Sequence, residues 1–519
     1  MSSKLVRVFR DFSGGLSEVA NDNMNDNELV VAVNVVPGER TGLARAPGTV
    51  NAYPRIVENG DGAGDVRILV ELAVASDDVR VLAFCDAENE KMDLFSYDAA
   101  TSAWEKILSN TPAVLDWFIY ANKLYWLNGT DFLFYDGTSV ESVTEDGSSG
   151  LWNKVKTAVA VEQRGQRWFF GTTENEVIFS DSGKVNKLTG TNILNITSGN
   201  ADTITALHEF NDGLLIFQTR SVYFLEGWDL AGASDVRLSR LNVTTGTRWP
   251  KTVKTIENAV LYLGSNGIYQ LRIPSYSTKI AATNISVHKI SDRLNKLEKV
   301  DCYAGVWDGA YYLGIRTADT IVEYRFFTET RGFYGEYTQG ATCYAPGFMG
   351  ADYMTIGCGN GYVLRYDPDS FSYISLENGG KTGIPIEIWS KSYDVVGGMV
   401  FNAKLKKAFI VMKQFVQQST TLKAQIKADY VDQAWEWTMD FDESLVLQEG
   451  HYGETFFGFK DTVEKEISIS RKAKRMQYRF SDDSMDQPIL LYGMGVLYKK
   501  KKPKGNRSGV AKTTPDLDE

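Results

Sequence analysis

A chain of 519 residues, 43% hydrophobic and 12% aromatic, is long enough to bury the cores of two or three domains. Its formal charge of −11 gives it no electrostatic means of gripping nucleic acid, so a surface facing DNA should let the polyanion slide past. No stretch approaches the roughly 18 apolar residues of a spanning helix, which argues against a membrane protein of that kind.

Cys85, Cys302, Cys343 and Cys358 are widely spaced and form no CxxC pair, and read as buried free thiols made in a reducing compartment. The opening MSSKLVRVFRDFSGG carries charge without an apolar run, so it does not read as a secretory signal and synthesis in a cytoplasm is expected.

Residues 1–60 read as an extended arm. Asn25 followed by Glu28 has the spacing of a capping box, which predicts a short helix over Glu28 to Asn34 that Pro37 and Gly38 end. Such an arm has no core of its own and must lie on the rest of the protein or on a neighbour. Asn59 to Asp65, NGDGAGD, is rich in oxygen ligands but lacks the closing bidentate Glu of a calcium loop, and reads as a linker.

From residue 61 to 378 one pattern returns seven times: two runs of aromatic and β-branched residues around a Gly/Asn/Asp turn. The copies begin at Val79, Lys123, Arg167, Leu214, Val260, Tyr311 and Tyr353. Between equivalent positions Phe84, Leu127, Phe170, Phe217, Leu263, Leu313 and Ile356 the steps are 43, 43, 47, 46, 50 and 43 residues. That is the spacing of four-stranded blades, and the expectation is a β-propeller of six or seven blades. Neither the WD nor the kelch signature is present, and a β-sandwich array is the competing architecture. A second helix is expected over Ser291 to Leu297, where Leu294 and Leu297 are three apart.

Residues 384–498 alternate sharply. Leu422, Ala424, Ile426, Ala428 and Tyr430 fall on one face of a strand, and Met476, Tyr478 and Phe480 repeat the rhythm, which predicts an antiparallel β-sandwich. Residues 499–519 form a charged tail, basic from Lys499 to Arg507 and acidic from Asp516 to Glu519, read either as a hook for an acidic partner or as a solvated end.

The search for chemistry is mostly negative, and no catalytic, cofactor-binding or metal-binding residue is assigned. His208, His288 and His451 are far apart, and no HExxH, GxSxG or GxxxxGK[ST] pattern occurs. SYDAATSAW, Ser96 to Trp104, approaches a sialidase Asp box but has an extra residue and Ala100 in place of Gly; YDGTSVES and YDPDSFSY repeat the same acidic turn in other blades. Trp435 and Trp437 share one sheet face, where a core position competes with a sugar platform.

Two ends of the chain resemble bacteriophage tail proteins. The order Phe12 to Leu16, Asp26 to Glu28, Asn34, Val35, Arg45, Pro47 and Gly48 resembles the opening of many such chains, and Arg475 to Phe480 with Leu491 to Gly495 is similar to the closing strands of the podovirus-type tail nozzle or tail hub family. The resemblance implies a virion protein without enzymatic activity and without a cofactor. It implies a ring of identical copies, six by family precedent, below an adaptor ring, with tail fibres or a tip nearby and phage DNA passing through without specific binding. The alternative is a virion-associated glycosidase or sugar-binding propeller, since propellers host sugar hydrolases and many carboxylates here sit near turns; such enzymes need two carboxyl groups about 5–9.5 Å apart, one kept protonated.

Overall fold

The computed structural model describes residues 5–20, 22–58, 61–75, 78–196, 202–227, 236–275, 279–350, 352–395, 403–413, 420–428, 434–441 and 462–500. The fold is all-β, a seven-bladed propeller joined to a two-sheet sandwich.

Each blade is a four-stranded antiparallel sheet. Blade 1 spans Val66–Ala75 to Ala103–Pro112, blade 2 Asp116–Tyr120 to Val140–Ser142, blade 3 Ala160–Arg164 to Ile193–Asn195, and blade 4 Ile204–Phe210 to Arg237–Arg240. Blade 5 runs from Lys254–Ile256 to Ala281–Asn284 and blade 6 from Asp301–Trp307 to Gly332–Tyr337. Blade 7 takes three strands from Ala341–Pro346 to Val363–Asp367 and its fourth, Gly48–Asn51, from the N-terminal segment.

The seven repeat positions of the sequence all lie on second strands, one per blade. Tight turns also join first to second strands, just outside the repeated pattern. Ala121–Asn122 and Asp308–Gly309 take positive φ at both central residues, the type I′ geometry whose twist matches the flanking strands.

Around the ring, apolar side chains fill every interface between blades. Phe84 and Leu94 of blade 1 meet Leu124 and Trp126 of blade 2, and Phe169 of blade 3 meets Leu214 and Tyr223 of blade 4. Closure comes where Cys343, Ala345 and Val363 of blade 7 pack on Leu69, Val81 and Ala83 of blade 1. A single blade has two apolar faces, so only the closed circle covers them all.

Between blades 6 and 7 lies a buried polar knot. Glu323 accepts hydrogen bonds from the Tyr344 hydroxyl (2.6 Å), the Tyr366 hydroxyl (2.9 Å) and Arg325 Nε (2.6 Å). The Arg325 guanidinium sits over the rings of Tyr312, Tyr337 and Tyr366 at 4.7, 3.9 and 4.5 Å. Carboxylate and aromatic faces together hold a charge in the interior.

The sandwich interleaves both ends of the chain. One sheet orders Val35–Pro37, Leu43–Arg45, Leu490–Lys500, Ala403–Lys413 and Thr462–Ala473, with Leu5–Phe9 also on Leu490–Lys500. The other orders Gly15–Leu16, Glu28–Val33, Ile386–Ser390, Arg475–Asp482, Thr420–Ala428 and Ala434–Phe441, with Tyr393–Asp394 on Arg475–Asp482. Ala424, Ile426, Met476, Tyr478 and Phe480 are buried between the sheets. Tyr430, His451 and the tail beyond Lys500 lie outside the described residues, as do the side chains of Trp435 and Trp437.

The helix expected over Glu28 to Asn34 is instead a strand, Glu28–Val33. The local signal was real, since the Asn25 N–H donates to Glu28 Oε2 at 2.9 Å, but it makes only a turn. Lys289 also claims that carboxylate, at 2.6 Å, and the β-branched run Val30, Val31 and Val33 finds a ladder on Ile386–Ser390. Nor does the segment lie over the surface as an arm: it supplies strands to both sheets and to blade 7. The second expected helix stands at Ser291–Lys296 with Leu294 buried. A further short helix, Trp152–Lys156, gave no periodic signal in the sequence.

One apolar core runs without a break from blades 5 and 6 into the sandwich, including Leu263, Leu313, Phe333, Tyr337, Leu29, Ile388, Ile410 and Tyr478. The sandwich is therefore fixed to the rim of the propeller as one body.

Candidate functional site

First strands of consecutive blades pack side by side around the propeller axis, and four of them bring ionisable groups together. Blade 2 contributes Asp116, blade 3 Glu162, blade 4 His208 and blade 5 Lys254. His208 Nε2 is 2.8 Å from Thr255 Oγ1, and its Nδ1 is 3.9 Å from a Glu162 carboxyl oxygen. Asp116 accepts the N–H groups of Trp117 and Val161, each at 2.9 Å, so it ties blade 2 to blade 3.

Burial sets the protonation states. It pushes Asp116 up to about 6, against the opposing pull of two backbone N–H donors and the nearby ammoniums of Lys254 and Lys251. Glu162 is pushed up to about 8, by burial first and then by the Asp116 and Glu209 carboxylates. His208 is driven down to about 4 by burial and the Lys254 charge, and burial lowers Lys254 itself. The shifts run in different degrees: they favour the protonated form of Glu162 more strongly than that of Asp116, and the neutral form of His208. Separated protonation of neighbouring carboxyls is the arrangement from which acid–base chemistry can be built.

On blades 1 and 6 the charges are paired. Arg67 reaches Asp86 at 3.0 Å and Asp301 at 3.4 Å, while Arg316 reaches Asp65 at 2.8 Å and Asp86 at 3.5 Å. Asp65 of the oxygen-rich linker is therefore an ion-pair partner. Among the described residues no group of three or more His, Cys, Asp and Glu side chains is placed to hold a metal ion.

The acidic turns serve their own hairpins. Asp98 accepts from the Ala100 N–H and the Thr101 hydroxyl, both at 2.8 Å; Asp136 accepts from the Thr138 and Ser139 N–H groups; Asp367 accepts from the Asp369 N–H. These are Asx turns. His288 is exposed on a turn with φ 62°, far from the axial cluster. The four cysteines are buried and free.

The axial cluster escaped the sequence reading because that reading followed only the central hairpin of each repeat. A signal was available: a charged or imidazole residue interrupts the inner strands in DWFIY, AVEQR, ITALHEF and KTI.

The N-terminal motif residues form a second constellation, at the junction of propeller and sandwich. Asn34, fully buried at φ 51°, donates to the Pro385 carbonyl at 2.7 Å and accepts from the Thr338 N–H and the Tyr373 hydroxyl. Tyr334 and Tyr337 of blade 6 donate to the carbonyls of Phe12 and Val35. Glu18 receives the N–H groups of Asp292 and Arg293, at 2.7 Å each, from the short helix. Arg45 is buried against Asp482 and donates to the carbonyls of Ser484 and Gln487.

No family model and no curated protein matches the chain. Among solved structures it is similar to the extracellular domain of a hybrid two-component system, BT4673 of B. thetaiotaomicron, at 9% identity and a TM-score of 0.41, covering 83% of this chain and 63% of that one. It is also similar to BBS1N, solved in complex with ARL6DN, at 8% identity and a TM-score of 0.37, covering 64% of this chain and 96% of that one. Raptor of Chaetomium thermophilum is similar at 9% identity and a TM-score of 0.35, covering 59% of this chain and 28% of that one.

Proposed function

We propose that the chain is a structural component of a bacteriophage tail, a nozzle or hub that forms a ring below an adaptor, passes DNA during ejection and carries fibres or a tip. One observation supports this reading above the others: the segments that resemble tail proteins, from opposite ends of the sequence, interleave in one sandwich fused to the propeller rim. A rigid two-part wedge suits repeated contacts around a ring. The charge of −11 suits a lumen that a polyanion must cross without sticking. The partners that follow are identical copies, an adaptor on one side and fibres or a tip on the other, and the location is the virion tail. Native mass with averaged electron micrographs of the purified protein is the test: closed rings support the reading, and a protein that stays monomeric at every concentration contradicts it.

A second reading, a glycosidase or sugar-binding propeller acting on the host surface, is favoured by the Asp116 and Glu162 pair with its divided protonation. Release of sugar from capsule or lipopolysaccharide that is abolished by Glu162→Gln would establish it over the conduit.

A further inference from the structure

Three lysines stand abreast at one end of the six-stranded sheet. Lys404 is directly opposite Lys472 on one neighbouring strand and Lys499 on the other. Ala403, Leu405, Ala473 and Tyr498, beside them in sequence, are buried, so the alternation of the strands turns the lysines outward. Lys472 and Lys499 are exposed. Like charges directly opposite one another destabilise a sheet, and strands about 4.8 Å apart hold all three ammoniums well inside a Debye length. Lys407 and Lys413 of the same strand pair with Glu466 and Glu39, whereas Lys404, Lys472 and Lys499 have no ion-pair partner among the described residues. Beyond Lys499 the sequence continues the same charge with Lys500, Lys501, Lys502, Lys504 and Arg507.

The complementary surface is on the propeller. Residues 61–378 contain 27 Lys and Arg against 40 Asp and Glu. On the face that carries the turns between second and third strands, Glu88 and Glu90 of blade 1, Asp131 of blade 2 and Asp146 after blade 2 are all exposed. The sandwich is attached at blade 6. The shared core also takes in blade 5, and in a circle of seven the blade farthest from the fifth and sixth is the second, so the acidic loops of blades 1 and 2 lie away from the sandwich. Two unlike patches at separate places on one chain make a head-to-tail contact, the kind that closes into a ring when the rotation between copies allows it.

We propose that the Lys404, Lys472 and Lys499 row docks a second copy of this chain through the acidic loops of its blades 1 and 2. The inference rests on the ring reading above and names the contact that would build the ring.

The test compares native mass against concentration and salt for four proteins. They are the wild type, Lys404→Glu/Lys472→Glu/Lys499→Glu, the matching triple Ser variant as a control for folding, and Glu88→Lys/Glu90→Lys/Asp131→Lys. The expected result is a wild-type ring weakened by salt, with either charge reversal raising the concentration for half-assembly about tenfold or more. Mixing the two reversed variants should restore assembly. Wild-type rings that persist unchanged in the triple Glu and triple Ser variants would overturn the docking surface while leaving the conduit reading in place; a monomeric wild type would overturn both. A triple Glu variant that still forms rings but loses retention of a labelled DNA duplex would reassign the row to nucleic acid and also overturn the proposal.

Discussion

Glu162 and Glu323 are both carboxyls inside a β-propeller, yet their surroundings give them opposite characters. Glu323 faces Arg325 and two tyrosine hydroxyls, so truncation to Ala strands a buried guanidinium. Glu323→Ala should cost about 3–5 kcal/mol, read as a lower urea midpoint, whereas replacing Glu323 and Arg325 together with Leu and Met should cost much less. Glu162 has no guanidinium on it, only His208 Nδ1 at 3.9 Å, and desolvation with the Asp116 and Glu209 carboxylates raises it to about 8 from an ordinary 4.5. A raised folded-state value means the folded protein holds a proton the unfolded chain has lost, so this contribution is complete below pH 4.5 and disappears as pH rises through 8. His208, lowered to about 4 from 6.5, acts in the opposite sense: its contribution is present above 6.5 and is lost as pH falls through 4. Glu162→Gln should therefore flatten the decline in stability between pH 5 and 8 and leave the acid limb intact, as urea unfolding at stepped pH would show. An unchanged slope across that interval would contradict the protonation assignment.

Among the elements, the hairpins were legible and the N-terminal strands were not. Phe84, Leu127, Phe170 and their four equivalents marked one strand of every blade because the turn chemistry beside them is local. Glu28–Val33 was misread because its capping-box spacing is also local, whereas the partner that makes it a strand, Ile386–Ser390, lies far away in sequence. Gly48–Asn51 was invisible for the same reason, since its ladder is to Val363–Asp367. Short-range signals reported turns faithfully, and nothing short-range could report who pairs with whom. This topology carries its own prediction. A protease site inserted between Asn59 and Gly60, once cut, should leave the 1–59 fragment bound to the rest of the chain under native conditions, because it holds strands in both sheets and in blade 7. Separation of the two fragments on a native gel without denaturant would contradict the interleaving.

For the whole molecule, the continuous core from blades 5 and 6 into the sandwich joins the two into one part, which suits the proposed role in an assembly. The axial cluster could not be read from composition, because Asp116, Glu162, His208 and Lys254 are ordinary residues until the ring brings their strands together. Charge was legible from the start, but its division between an acidic propeller face and an outward lysine row needed the registers of Ala403–Lys413. In the proposed ring the loops facing the lumen should be mostly Asp and Glu, and soluble duplex DNA should not be retained at physiological salt. The most direct measurement is an electron-microscopic reconstruction of the purified, concentrated protein. The account predicts closed rings of identical copies with an acidic lumen; single propellers at every concentration, together with sugar release from host-surface polysaccharide, would contradict it.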